Sequence, residues 1–279
     1  MVTKQDIKEA YQRLGVVPGD IVLTHSSFKS LGPTENGADT VISGIFEAVG
    51  PEGTVVFPTL CSNDWYHLFE NWHLDAPSDV GYLTNYFRKL PGALRSNQAT
   101  HSVAAIGKYA SYLTETHGQT GHRYGVYGVT PFAKDSPWEK MYHMDTKIIF
   151  LGVPITKCTM RHYVEYCFVD DQLTRVLEKT KSMDIYERFR RRIWYYASGG
   201  GVWPHVNAVY VQEQLEPMGK IHRTQCGNAE LIMVSAKDFA EMTYSLLEKR
   251  DINALVPTGE KHMWHVEDTM AWLEDIDRV

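Results

Sequence analysis

Apolar residues near the start of the chain follow two different spacings. Intervals of three and four predict a helix over residues 5–14 and another over 38–49. Short continuous apolar runs predict buried strands within 19–25 and 51–59, each beginning at a glycine-containing turn. A strand, a helix and a second strand within about forty residues are typical of a βαβ unit, so this part of the chain predicts an α/β fold.

The same two spacings continue through most of the remaining sequence. The helix predicted over 136–145 has clear start signals, because Ser136 can cap it, Pro137 takes its first position and Glu139 completes a capping box. No Pro- or Ser-rich linker and no internal repeat divides the chain. We therefore expect residues 1–279 to form a single domain. The other predicted elements are strands at 101–107, 147–153 and 231–235, and helices at 80–87, 159–166 and 236–248.

Residues 172–225 fit these patterns least well. They contain a basic and aromatic run, ERFRRRIWYY, followed by a GGG break. The next segment, VNAVYVQEQ, alternates apolar and polar positions, which predicts a half-exposed strand. We expect this region to be an insertion or subdomain of the single domain.

Composition places the chain among ordinary globular proteins, with 43% hydrophobic and 22% charged residues. The formal net charge of −6 and a pI near 6.1 argue against nucleic acid as the main partner. No apolar run approaches the roughly 18 residues of a membrane span, and the N-terminus lacks the apolar core of a signal peptide. A cytoplasmic location with no membrane partner is therefore expected.

The four cysteines do not form a CxxC pair, and a chain of this size does not need disulfides for stability. We expect all four to be free thiols in a reducing compartment. They are Cys61, Cys158, Cys167 and Cys226.

The loop after the first predicted strand, from His25 to Gly32, is a candidate binding segment. Ligands of α/β proteins bind at the carboxyl ends of strands, and small hydroxyl residues with exposed N–H groups suit a phosphate or a pantetheine amide. The loop matches neither the P-loop nor the G-x-G-x-x-G pattern. An ordinary strand-to-helix turn is the more common use of such residues, and it stays open as an interpretation.

A second candidate segment runs from Arg95 to Ser102. An arginine near a Ser-rich strand start can hold an anionic group, but a surface arginine beside a capped strand is the other interpretation.

His162 and Glu165 form the candidate for acid–base chemistry. Their three-residue spacing places both side chains on one face of a helix, where the carboxylate can orient the imidazole and raise its basicity. Thr159, one turn earlier on that face, is placed to donate a hydroxyl to a developing oxyanion. A metal site is less well supported, because the H-E-x-x-H spacing and a Cys/His cluster are absent. Without further context, such a pair is more often two exposed helix neighbours.

The remaining histidines have no spacing that indicates chemistry. Most are expected to be surface groups or hydrogen-bonded core residues. They include His67, His73, His117, His122, His143, His205, His222, His262 and His265.

Four sequence blocks, in this order, resemble the aminoglycoside 3-N-acetyltransferase family, the antibiotic N-acetyltransferases that are distinct from the GNAT fold. The order and separation of the blocks are more specific than any one of them. The blocks are GDIVLTHSSFKSLGPTENGADTVISGIFEAVGPEGTVVFPT (19–59), LPGALRSNQATHSVAAIG (90–107), PFAKDSPWEKMYHMDTKIIFLGV (131–153) and TMRHYVEY (159–166), with GNAEL (227–231) as a weaker match.

The resemblance implies a mixed central sheet with helices on both faces, acetyl-CoA as donor, and no metal. It implies direct transfer to an amine of an aminoglycoside or related amino sugar, a route to antibiotic resistance, without a covalent intermediate. A homodimer is a possible assembly. The implied catalytic residues are His162 as base, Glu165 as its partner and Thr159 as support for the oxyanion. The implied donor-binding residues are Ser26, Ser27, Phe28, Lys29, Ser102, Val103 and Ser136.

The chain departs from the family pattern near the expected acceptor site. Thr156 and Cys158 stand where members commonly carry Asp and Asn, and Arg161 adds positive charge that a polycationic antibiotic disfavours. A second acceptor therefore stays open, a nucleotide-linked or natural-product amine in a biosynthetic reaction. Carboxylates in the acceptor cleft would favour aminoglycosides, whereas basic residues such as Arg161 or Arg123 would favour a phosphorylated acceptor. Residues 172–225 are expected to shape this acceptor side.

Two other classes of function fit less well. A non-catalytic CoA-binding module has no need of both His162 and Glu165. A serine hydrolase requires a nucleophile elbow, and no G-x-S-x-G segment supports one.

Overall fold

The computed structural model describes residues 1–61, 72–117, 131–193, 201–256 and 266–279. Within these ranges the strands are β1 (Ile21–Ser26), β2 (Thr54–Pro58), β3 (Leu94–Arg95), β4 (Val103–Gly107), β5 (Lys147–Leu151), β6 (His222–Cys226) and β7 (Ala229–Ser235). They form one sheet in the order β3-β4-β2-β1-β5-β7-β6. β1 pairs in parallel with β2 and β5, and the other pairings are antiparallel, so the sheet is mixed.

Helices connect and cover these strands. Several begin at the caps that the sequence supplies: Thr3 forms a capping box with Asp6, and Ser136 and Ser235 each accept from an N–H of the first turn. The α-helices of the described residues are α1 (Lys4–Arg13), α2 (Ala38–Val49), α3 (Tyr82–Phe87), α4 (Ala110–Thr114), α5 (Pro137–His143), α6 (Met160–Thr180), α7 (Met183–Arg190), α8 (Ala208–Leu215), α9 (Ala236–Glu248) and α10 (Val266–Arg278). None of these helices is both long enough and apolar enough to cross a bilayer.

The central strands are buried on both faces, and their side chains alternate between two hydrophobic cores. Leu23 and Phe150 point to one core, while Val22 and Ile149 point to the other. The first core contains residues of α4 to α10, and the second contains residues of α1 to α3. Helices therefore flank a mixed central sheet on both faces, which confirms the expected fold class.

The parallel strands determine where polar groups can collect. β1, β2 and β5 run in the same direction and end at Ser26, Pro58 and Leu151. Their carboxyl ends therefore lie at one edge of the sheet, and the loops that leave them meet there.

One predicted element is wrong. VNAVYVQEQ forms helix α8 rather than a strand: Asn207 caps it by accepting from the Tyr210 N–H at 3.3 Å. The buried positions Ala208, Val211 and Leu215 follow helical spacing, which competes with the alternation in the same residues. The wider segment 172–225 contains the end of α6, then α7, α8 and the edge strand β6, so part of it belongs to the central sheet.

Candidate active site

A cleft of about 480 Å³ opens at the edge of the sheet where the parallel strands end. It lies between the end of β1, the loop after β2, the segment leading into α3, and the first turn of α6. We call it the main cleft. Its polar lining includes His25, Asp79, Thr156, Lys157, Thr159, Arg161 and His162.

The predicted pair His162 and Glu165 meets in the first turns of α6. The Nδ1 atom of His162 lies 2.7 Å from Oε2 of Glu165, and the helix supplies this geometry through the three-residue spacing. The pair is not an exposed helix contact, because His162 is 8% exposed and Glu165 is fully buried. Since an ionised carboxylate can only accept, Nδ1 carries the proton and Nε2 keeps its lone pair.

Glu165 is held by two further donors from the loop before α8. Trp203 donates its Nε1–H to Oε2 at 3.0 Å, and the Val206 backbone N–H donates to Oε1 at 2.8 Å. Burial alone would raise the pKa of this carboxyl, but its electrostatic interaction and hydrogen bond with the imidazole of His162, and its contact with His205, hold the pKa well below its ordinary value. Glu165 is therefore a fixed negative charge behind the imidazole.

His162 is neutral at physiological pH. Burial lowers the pKa of His162 to about 4, with Arg161 acting in the same direction and the charge of Glu165 opposing both. An unprotonated imidazole that lines the cleft can accept a proton, and the carboxylate behind it stabilises the imidazolium that results.

Aromatic rings surround the imidazole of His162. The ring of His205 lies nearly parallel at 6.0 Å between centroids, and the rings of His101 and Phe132 lie at 5.7 and 6.0 Å. Burial lowers the pKa of His101 well below its ordinary value, so this neighbour is neutral as well. These contacts limit the rotation of His162.

His162, Glu165 and His205 place potential metal ligands within 4.8 Å of one another. The environment of the carboxylate disfavours a cation there, because Trp203 and Val206 both direct N–H groups at its oxygens. These donors have no lone pair to offer a metal. The cluster is better suited to hydrogen bonding than to metal binding.

Thr159 lies at the start of α6 and lines the same cleft as His162, 6% exposed. Its hydroxyl makes no capping bond to the helix. Cys158 also lines the cleft, where burial raises the pKa of the thiol to about 12. Cys158 is therefore protonated and is a poor nucleophile.

The predicted donor loop lines a neighbouring surface cleft of about 530 Å³. Ser26, Ser27, Phe28 and Lys29 line it together with Gly81 and Tyr82. Ser26 and Gly81 also line the main cleft, so the two clefts are adjacent. Gly152, with a φ of 63°, comes so close to Ser30 that any side chain there would collide with its hydroxyl. This contact holds the loop after β5 against the donor loop.

The other predicted donor residues lie inside the protein rather than in either cleft. Ser102 is fully buried and bonded to Thr59, and Val103 is buried in β4. Ser136 is 2% exposed and caps α5. Arg95 donates to both Thr59 and Ser102, so the second candidate segment forms an internal hydrogen-bonded cluster.

Three groups of this site were not singled out by the sequence analysis: Trp203, the Val206 N–H and Asp79. Asp79 lines the main cleft, and no motif or spacing in the sequence marked it as a site residue. His25 stacks on Phe150 at 5.3 Å, and burial lowers its pKa to about 3, so the ring is neutral. His117, in contrast, is a hydrogen-bonded core residue, as expected, since it contacts Ser96 and the Pro131 carbonyl. His67, His122, His262, His265 and Arg123 lie outside the described residues.

The charged lining of the main cleft mixes both signs. Among the described residues it contains one carboxylate, Asp79, and two cations, Lys157 and Arg161. By the criterion drawn from the sequence, this lining does not favour a polycationic acceptor.

Comparisons with known proteins agree with the resemblance seen in the sequence. The family model described as "Aminoglycoside 3-N-acetyltransferase" matches residues 23–248. A Salmonella sp protein named aminoglycoside N(3)-acetyltransferase III is 34% identical over 182 residues, which are 59% of this chain and 60% of that protein. The match thus spans well under two thirds of that relative. The Bacillus subtilis protein YokD, named as aminoglycoside N(3')-acetyltransferase-like, is 26% identical over 185 residues, which are 59% of this chain and 65% of YokD.

Solved structures share the fold. A structure titled "AAC-IIIb binary with CoASH" has a TM-score of 0.66 at 19% identity, covering 89% of this chain and 97% of the other. A complex of aminoglycoside acetyltransferase AAC(3)-IVa with a gentamicin has a TM-score of 0.70 at 20% identity, covering 96% of both chains.

Proposed function

This chain belongs to the aminoglycoside 3-N-acetyltransferase family, and from that membership we propose that it transfers an acetyl group from acetyl-CoA to an amine of an aminoglycoside or related amino sugar. One observation carries the proposal. Its predicted base, His162, is bonded through Nδ1 to the buried Glu165 and lines the cleft at the carboxyl edge of the sheet. A named relative from Salmonella sp and a neighbouring structure titled with CoASH support the donor.

The reaction requires that a proton leave the amine as it attacks the thioester. The N–C bond forms at the carbonyl carbon, and the amine proton becomes acidic as positive charge develops on nitrogen. Nε2 of His162 takes this proton, and the charge of Glu165 stabilises the imidazolium. When the C–S bond breaks, the imidazolium returns the proton to the leaving sulfur, and CoA departs as the free thiol.

The thioester oxygen gains negative charge in the same step. The Thr159 hydroxyl, which makes no capping bond to α6 and lines the same cleft as His162, supplies a donor for this oxygen. The thioester is already activated, so the mechanism needs no protein nucleophile. The protonated thiol of Cys158 agrees with direct transfer.

The donor is assigned to the surface cleft beside the main cleft. Ser26 and Ser27 offer polar groups to the pantetheine arm, the Phe28 ring offers an apolar contact, and the exposed Lys29 suits a phosphate. Ser102, Val103 and Ser136 then contribute by holding the wall of the site in place. Trp138, in the helix that Ser136 caps, donates to the carbonyl of His101, which packs against His162.

Thiol release from acetyl-CoA tests the proposal directly. The enzyme is mixed with acetyl-CoA and a panel of aminoglycosides and amino sugars, and free CoA is measured with a thiol reagent. Acceptor-dependent release that also yields an N-acetylated product by mass spectrometry supports the proposal. Release that does not depend on any amine would instead indicate thioester hydrolysis, and no release across the panel would contradict the proposed function.

A biosynthetic transfer to a nucleotide-linked or natural-product amine is the second candidate. The cations Lys157 and Arg161 in the main cleft favour it over a polycationic antibiotic. The donor chemistry and the roles of His162 and Glu165 would be the same.

A further inference from the structure

The main cleft contains two cations that have no carboxylate partner among the described residues. Lys157 and Arg161 both line this cleft. Within the described part of the chain, neither forms an ion pair with a carboxylate. Arg161 donates one long hydrogen bond of 3.4 Å to the Val206 carbonyl, and its buried Nε atom has no hydrogen-bond partner in the part of the chain that the structure describes. A guanidinium has five N–H donors, so most of the hydrogen-bonding capacity of Arg161 is unused.

Three other partly buried arginines of this chain are paired with carboxylates, whereas Arg95 is held by the carbonyls of Leu74 and Thr59. Arg250 contacts Asp277 at 2.7 Å, Arg192 contacts Asp275 at 2.6 Å, and Arg190 contacts Glu187 at 2.6 Å. An unpaired, half-buried guanidinium is unfavourable, because it loses hydration without gaining a counter-charge. Arg161 therefore differs from its counterparts and is suited to an anion from outside the protein.

The position of Arg161 shows which substrate would supply that anion. Arg161 precedes His162 in the first turn of α6, so it lies beside the reacting centre. The phosphates of CoA are separated from the thioester by the whole pantetheine arm. When the thioester is at His162, those phosphates lie far from Arg161, and a group of the acceptor lies near it. Asp79 in the same cleft offers a carboxylate to the acceptor ammonium, which releases one proton to solvent before the neutral amine attacks.

We propose that the natural acceptor is an amine that carries an acidic group, a phosphate or a carboxylate, in the same small molecule. Arg161 and Lys157 bind the acidic group, which orients the amine toward Nε2 of His162. This inference rests on the proposed acyl transfer and narrows its acceptor class. It also explains why the cleft has a cationic pair where a polycationic antibiotic would be repelled.

Matched acceptors test the inference. Glucosamine, glucosamine 6-phosphate and 2-amino-2-deoxyglucuronic acid share one amine and differ in the acidic group, and gentamicin serves as the polycation. We expect kcat/KM for the better of the two acidic sugars to exceed that of glucosamine by roughly 10- to 100-fold, the range for hydrogen bonds to charged groups. Whether phosphate or carboxylate is preferred identifies the acidic group. The ratio of kcat/KM for the acidic sugar to kcat/KM for glucosamine should decrease as the salt concentration increases.

Arg161→Gln and Lys157→Gln should each remove most of this preference, measured within one variant as the ratio of kcat/KM for the acidic sugar to kcat/KM for glucosamine. Lys249→Gln is the matched control, because it removes one exposed cation at the end of α9, outside both clefts. Equal kcat/KM for acidic and neutral acceptors, or a preference for gentamicin, would overturn the inference. So would an acidic-group preference that survives in the Arg161→Gln, Lys157→Gln double variant.

Equilibrium binding separates this inference from the proposed function. The sugars are titrated by calorimetry into the His162→Ala variant with CoA present, so that no transfer is needed. Tighter binding of an acidic sugar than of glucosamine, lost in the Arg161→Gln background, supports the inference even if turnover is never found. Equal binding of the three sugars overturns it even if acetyl transfer to another amine is observed.

Discussion

Glu165→Gln replaces one carboxylate oxygen by an NH2 group where both oxygens already accept hydrogen bonds. Oε2 accepts from His162 and Trp203, and Oε1 accepts from the Val206 N–H. Whichever oxygen becomes NH2, a donor then faces another donor. The glutamine side chain therefore has nearly the shape of the glutamate side chain but disrupts its hydrogen bonds.

The two orientations of the new amide impair His162 in different ways. If the NH2 group faces His162, Nδ1 must accept, and the imidazole proton moves to Nε2, where it occupies the lone pair needed in the cleft. If the NH2 group faces Val206, His162 keeps its tautomer but loses the negative charge that stabilises the imidazolium. Both orientations slow the proton transfer.

The expected loss follows from these interactions. General-base catalysis is worth about 10²- to 10⁴-fold, and a wrong tautomer of the base loses a similar factor, so kcat should fall by about that range. The unpaired donor should lower the free energy of unfolding by about 1–3 kcal/mol. The charge of Glu165 raises the pKa of His162, so its removal should move the acidic limb of kcat to lower pH.

Thiol release at saturating acetyl-CoA gives kcat and KM, and urea denaturation gives the stability. Glu248→Gln is a suitable control, because Glu248 pairs with Arg175 at 2.9 Å outside both clefts. A folded Glu165→Gln enzyme whose kcat stays within about threefold of the parent, with an unchanged pH profile, would refute the role given to Glu165.

Three further predictions concern the groups around this pair. Thr159→Val should lower kcat by about 10²- to 10³-fold, whereas Thr159→Ser keeps the hydroxyl and most of the rate; equal rates in the two variants would remove the oxyanion role. Trp203→Phe deletes one donor to Glu165 and leaves a void, so the free energy of unfolding in urea should fall by roughly 2–4 kcal/mol and kcat should decrease. An unaltered kcat would show that this hydrogen bond does not matter for turnover. In the parent enzyme, kcat should fall at acidic pH with a midpoint near pH 4, because burial lowers the pKa of His162 to about 4. A midpoint near pH 6.5, the ordinary imidazole value, would contradict that account.

The sequence predicted those helices and strands whose own residues show a periodic or capping pattern. Helix α2 spans the predicted residues 38–49, and α5 starts at the predicted cap Ser136. The pairing of His162 with Glu165 was predictable for the same reason, since one helical turn determines it.

Contacts between distant segments had no such signal. Trp203 and Val206 reach Glu165 from 38 and 41 residues away in the sequence, and no periodic pattern connects positions that far apart. Nor does the sequence distinguish a serine that binds a ligand from one that caps a helix. Ser136 caps α5 and Ser102 bonds to Thr59, and both roles use the same residue type that a ligand contact would. The residues of α8 show both the alternation of a strand and the spacing of a helix, and the cap at Asn207 favours the helix.

The most direct test of the central claim is acetyl transfer by the His162→Ala variant, measured by thiol release beside CoA binding in the same preparation. His222→Ala is the control, since His222 is an exposed residue of the edge strand β6. If His162 is the base, kcat falls by about 10³-fold or more while the CoA dissociation constant changes by less than about threefold. Near-parental turnover in a folded His162→Ala enzyme would contradict the account.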